Sequence, residues 1–176
     1  MGQVIRLVFP DSGYPATMQE LDTAECVFLL AVRWWVADHR EDIDPLPRLC
    51  DAMAIAGTPD AAFLVDRLMA ALARATRRTI LIHCPHCPQV GEDEKHLLHA
   101  ASLVQAGESA RAERALRIAL LSAPGADCTL GSLESLAEMF ASARLMFQRR
   151  KAPSMTLADD QTAKLHVHAA LPHSIH

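Results

Sequence analysis

The chain has 176 residues, of which 51% are hydrophobic and only 5% aromatic, and its formal net charge is −4. That length allows one domain with a real core, and the aliphatic, aromatic-poor mix fits packed helices better than a β-sandwich. A slightly acidic chain without long runs of either sign also lacks the basic surface on which non-specific nucleic-acid binding rests.

The first 15 residues have no charged start, long apolar centre and small-residue cleavage site of the secretory kind. No apolar stretch is long enough to span a bilayer. The expectation is a cytoplasmic protein with neither membrane nor nucleic-acid partners.

Residues 3–9, QVIRLVF, are rich in β-branched and aromatic side chains, end at Pro10 and read as a short strand. The core helix follows, over 17–40. Thr17 and Glu20 have capping-box spacing, and His39 and Arg40 suit the negative end of a helix. Between Cys26 and Ala37 only Arg33 is charged. On a helical wheel Val27, Leu30 and Trp34 fall on one side and Phe28, Val32 and Trp35 on the other, so this helix is buried on more than one side. An enclosed Arg33 then needs a carboxylate partner.

A second helix runs from Pro45 or Pro47 to its stop at Gly57. Thr58-Pro59 opens a third, reaching Ala75, with Phe63, Leu64, Leu68, Met69 and Leu72 facing inward. Arg74, Arg77 and Arg78 read as a solvated helix end. Residues 79–83, TILIH, are a second strand candidate and a partner for 3–9. After the loop CPHCPQVG come helices over 93–106, ending at Gly107, and 109–122. They form a helical hairpin, with Arg111, Arg114 and Arg117 along one side of its second arm. Pro124-Gly125 breaks the pattern, and a last helix over 130–150 turns Leu133, Leu136, Ala137, Phe140 and Phe147 inward.

The resulting expectation is a mainly α, single-domain bundle of about six helices around the buried core helix, with a small two-stranded β element pairing 3–9 with 79–83. The domain covers 1–151. Residues 152–176, with His166, His168, His173 and His176, read as a poorly ordered or loosely docked tail.

Chemistry concentrates in TILIHCPHCPQVGEDEKHLLH, which holds Cys84, Cys87, His83, His86, His96 and His99. The other cysteines are Cys26, Cys50 and Cys128, and Cys26 and Cys50 sit in apolar helical patterns. In a reducing compartment a close cysteine pair points first to metal or redox chemistry. Zinc is one reading. Cys84, Cys87, His96 and His99 form a C-x2-C-x8-H-x2-H set, although the wheel places both histidines roughly opposite the inner face of their helix.

The second reading is thiol–disulfide exchange. Cys84-Pro85-His86-Cys87 is identical to the active-site tetrapeptide of DsbA-type disulfide oxidases, and its strand–motif–helix setting resembles theirs. The resemblance implies a thioredoxin fold and an oxidoreductase with Cys84 as nucleophile and Cys87 as its partner. It covers four residues and, loosely, about fifteen. No strand pattern follows the motif, and Pro88 and Gly91 delay the helix beyond Cys87.

The third reading is structural: the Pro-rich loop docks on the core helix, and Glu94, nearer the inner face than Asp93, pairs with Arg33. No Ser/His/Asp order, phosphate-binding glycine loop or EF-hand loop is present. The functional expectation is a non-enzymatic accessory protein whose partner is another protein or a second copy of the chain. It makes contact through the 92–122 hairpin or the last helix. Zinc is the one cofactor the sequence suggests.

Overall fold

The computed structural model of the chain describes residues 13–153. Six helices pack against one another: α1 (Thr23–Arg40), α2 (Leu46–Ile55), α3 (Ala61–Ala75), α4 (Glu92–Gln105), α5 (Ser109–Ala119) and α6 (Ala123–Ser142). α1 lies on α2, α3 and α4; α6 lies on α3, α4 and α5; α4 and α5 form the hairpin. No helix among the described residues is long and apolar enough to cross a membrane. The strand candidate at 3–9 and the histidines at 166–176 lie outside the described residues.

The core helix begins later than its sequence suggests. Thr17 Oγ1 does bond Glu20 Oε2 at 2.6 Å, but this contact accompanies one turn of 3₁₀ helix, Met18–Glu20. The reason is tertiary: Met18 N–H donates to Pro88 O at 2.7 Å and Val90 N–H to Ala16 O at 2.8 Å, which holds Thr17 extended opposite Gln89. α1 starts only after the chain leaves this contact, with Glu25 reaching back to the Asp22 N–H at 3.0 Å. Phe28, Leu29, Val32 and Trp35 are buried, while Val27, Leu30 and Trp34 are half-buried.

Residues 79–83 join no strand among the described residues. Two of their N–H groups are taken by carboxylates instead: Leu81 donates to Asp93 at 2.7 Å and His83 to Glu94 at 3.0 Å. Alternate N–H groups of an extended segment point the same way, so consecutive acids at a helix start substitute for a neighbouring strand.

Phe63, expected inward, is exposed; Ala61, Ala62, Val65, Leu68, Met69 and Leu72 form the inner face of α3. Pro124-Gly125 starts α6 rather than ending a helix, with Ser122 Oγ accepting from Gly125 N–H at 3.3 Å. Glycine is required there because a Cβ at position 125 would lie 2.4 Å from the Ala75 Cβ and 3.0 Å from the Ala75 carbonyl oxygen. The end of α3 and the start of α6 therefore touch backbone to side chain.

α6 ends at Ser142, short of the expected residue 150, and Arg144 reverses the chain with φ 61°. Gln105 latches the returning segment: its Oε1 accepts from Phe147 N–H at 2.8 Å and its Nε2 donates to Leu145 O at 3.0 Å. Phe147 is buried as expected, but from this return segment, stacked on Phe140 and edge-on to Phe28. Arg150 finally clamps Glu25 through two 2.9 Å bonds.

Candidate functional site

The loop between α3 and α4 is tied to the bundle around a buried ion pair, Arg33–Glu94. Arg33, in the middle of α1, donates from Nε and Nη2 to the two oxygens of Glu94, each at 2.8 Å. The remaining guanidinium hydrogens go to the loop backbone: Nη1 to Cys87 O at 2.7 Å and Cys84 O at 3.5 Å, Nη2 to Gln89 O at 2.6 Å. A guanidinium has five N–H donors, and here each has an acceptor. That is why Arg33 tolerates 0% side-chain exposure.

Glu94 is equally engaged. Besides Arg33 it accepts from Gly91 N–H at 2.8 Å and His83 N–H at 3.0 Å, and His83 Nδ1 lies 3.1 Å from its Oε2. An ionised carboxylate only accepts, so Nδ1 carries the proton in that contact. Burial alone would raise the Glu94 pKa, but the Arg33 and Gly91 hydrogen bonds, the Arg33 charge and His83 together hold it below the usual carboxylate range. The structure thus brings together the two residues that the sequence suggests as a pair.

Next to this hub, Arg78 reaches Asp93 through bonds of 2.9 and 2.5 Å and also donates to Ala119 O at 3.0 Å. Arg78 is therefore not merely a solvated helix end. Its hydrogen bond to Asp93 raises its pKa against the opposing effect of burial.

The four residues expected as zinc ligands, Cys84, Cys87, His96 and His99, fare differently. Cys84 is exposed and Cys87 half-buried, and both thiols are free. His96 is half-buried, whereas His99 is only 7% exposed and sits edge-on to Tyr14 at 6.0 Å between ring centroids. The wheel placed His99 outward, but the N-terminal segment carrying Tyr14 and the return segment carrying Arg149 and Arg150 pass near that side of α4. Desolvation lowers the pKa of both histidines; for His99, neighbouring His96, Arg111 and Arg149 push the same way. Among the described residues no group of three or more His, Cys, Asp or Glu side chains is placed to hold one metal ion. The four-ligand set is not assembled in this arrangement.

The tetrapeptide Cys84–Cys87 forms a turn, with Cys87 N–H donating to Cys84 O at 3.0 Å. It leads into an all-helical bundle, so the thioredoxin fold implied by the tetrapeptide is absent among the described residues.

A second polar cluster has no counterpart in the sequence reading. Glu25, 1% exposed, holds Arg150, whose guanidinium carbon lies 5.8 Å from the Tyr14 ring centre. The Tyr14 hydroxyl lies 3.4 Å from Ser102 Oγ, and its pKa is pushed up to about 12, chiefly by burial. Glu25 and Arg150 are separated by 125 positions, so no local spacing announces their contact. His99 Nδ1 is buried beside this cluster without a hydrogen-bond partner.

No family model, no curated protein and no solved structure matches this chain.

Proposed function

We propose that the chain is a non-enzymatic accessory protein of the cytoplasm that engages another protein, or a second copy of itself, through the outer side of the α4–α5 hairpin. One observation carries this reading. The charged groups best equipped for chemistry, Arg33 and Glu94, have 0% side-chain exposure and every bond committed to holding the loop. A centre so committed supports architecture rather than turnover.

The outer side of α5 is favoured as the contact face. Ile118 is 60% exposed there, and Arg111, Arg114 and Arg117 are exposed on the same arm. Arg111 is paired with Glu108 and Arg117 with Glu113, whereas Arg114 makes no ion pair among the described residues. An exposed large aliphatic beside an unneutralised arginine suits an interface core and its rim.

The test is site-specific photocrosslinking in cells, with the crosslinker at position 118 or, as a control, at 55. Ile55 is also exposed but lies on α2. The reading predicts a discrete adduct from 118 that is absent from 55 and lost with Arg114→Glu. No adduct at 118, or equal labelling at both positions, would overturn it.

A further inference from the structure

Two thiols lie in one turn, and the turn is held by its backbone. The Cys87 N–H to Cys84 O bond of 3.0 Å closes a four-residue turn, which keeps the first and last Cα atoms within about 7 Å. A disulfide spans Cα separations of about 4.4–6.8 Å, so the pair can be bridged without unfolding the loop. The grip of Arg33 Nη1 falls on the carbonyls of Cys87 and Cys84 and leaves both sulfurs free.

The two thiols are also unequal. Cys84 is exposed, whereas Cys87 is half-buried with Sγ 3.3 Å from Gln89 Oε1. Elsewhere Cys26 is half-buried against the Met18 and Leu21 carbonyls, Cys50 is half-buried in α2, and Cys128 is exposed on α6.

We propose that Cys84 and Cys87 form a reversible intramolecular disulfide by exchange with a low-molecular-weight disulfide of the glutathione class, which makes the pinned turn a thiol switch. Cys84, being exposed, reacts first. Its thiolate attacks one sulfur of the external disulfide, the external S–S bond breaks, and one thiolate departs, leaving a mixed disulfide on Cys84. Cys87 then attacks Cys84 Sγ, the mixed bond breaks, and the second external thiolate is released. Two electrons pass from the protein dithiol to the external disulfide, and the protons lost by the two cysteines are taken up by the two released thiolates. Excess small thiol runs the same steps backwards. The inference is independent of the contact face proposed above.

The test uses the full chain in glutathione buffers of graded oxidised-to-reduced ratio, with free thiols trapped by alkylation and mapped by peptide mass spectrometry. Cys128, exposed and without a neighbouring cysteine in sequence, is the internal reference. The expected result is that Cys84 and Cys87 lose alkylation together through a bond between them, reversibly, while Cys128 acquires only a glutathione adduct. Cys87→Ser should trap that adduct on Cys84, and Cys84→Ser should abolish the linkage. Far-UV circular dichroism of both variants verifies that they are folded. If wild-type Cys84 and Cys128 simply accumulate glutathione alike, with no Cys84–Cys87 bond, the proposal fails.

Discussion

Replacing Arg33 by Leu removes all five donors from the hub while leaving Glu94 buried. Breaking a buried pair from one side costs about 3–5 kcal/mol because a charge is left uncompensated. Against a total stability of about 5–15 kcal/mol, the variant should unfold at a far lower urea concentration, read from the fluorescence of Trp34 and Trp35. The companion variant, Arg33→Leu with Glu94→Leu, is the sharper test. Apolar replacement of a buried ion pair is often neutral, even stabilising.

Here that rescue should fail. Arg33 also satisfies the carbonyls of Cys87 and Gln89, and Glu94 the N–H groups of His83 and Gly91. Each backbone group left buried without a partner costs about 1–3 kcal/mol, with partial relief as the exposed parts of the loop move into water. The double variant should therefore remain about 2–5 kcal/mol below wild type. Recovery to within about 0.5 kcal/mol, the usual range for an innocuous surface change, would refute the view that the pair acts by satisfying the loop backbone.

Further outcomes follow from other contacts. Gly125→Ala drives a Cβ to within 2.4 Å of the Ala75 Cβ, so it should cost about 1–3 kcal/mol by overpacking, and Ala75→Gly in the same chain should return part of the loss in a thermal melt. His99 and His96 have lowered pKa values in the folded protein. The unfolded chain therefore binds more protons, and stability should decline as pH falls below about 6.5, the ordinary histidine value. His99→Leu should flatten that decline in urea titrations, and an unchanged pH profile would count against the burial argument; the groups acting on His99 in addition to its desolvation are His96, Arg111, Arg149 and Glu108. The depressed pKa of Glu94 gives the same sign in a more acidic window: its contribution is present above the ordinary carboxylate pKa of about 4.3 and is lost as pH falls through the folded value. Glu94→Gln should remove that acid-limb component in the same titrations.

The helices were legible in the sequence because their signals are local. Gly57 with φ 78° and Gly107 with φ 77° stop the chain where a glycine in that conformation is favoured. The Arg33–Glu94 pair was legible for a different reason: one charge in an otherwise apolar helix requires a partner, and few acids lie at an inward helix start. What escaped was decided between distant segments. Residues 79–83 have strand composition, yet carboxylates from α4 take the N–H groups of Leu81 and His83. The end of α6 depended on Gln105, and the burial of His99 on Tyr14 and the return segment, none of which a helical wheel contains.

The central claim is that the carboxylates of Asp93 and Glu94 dock the loop before α4 by taking its backbone N–H groups. Amide hydrogen exchange at Leu81, His83 and Gly91 in the metal-free wild-type chain tests it most directly. The account predicts that all three amides are protected at neutral pH, and that His83 and Gly91 lose protection in Glu94→Leu while Leu81, held by Asp93, keeps it. Exchange of the three wild-type amides at the rate of an open loop would contradict the account.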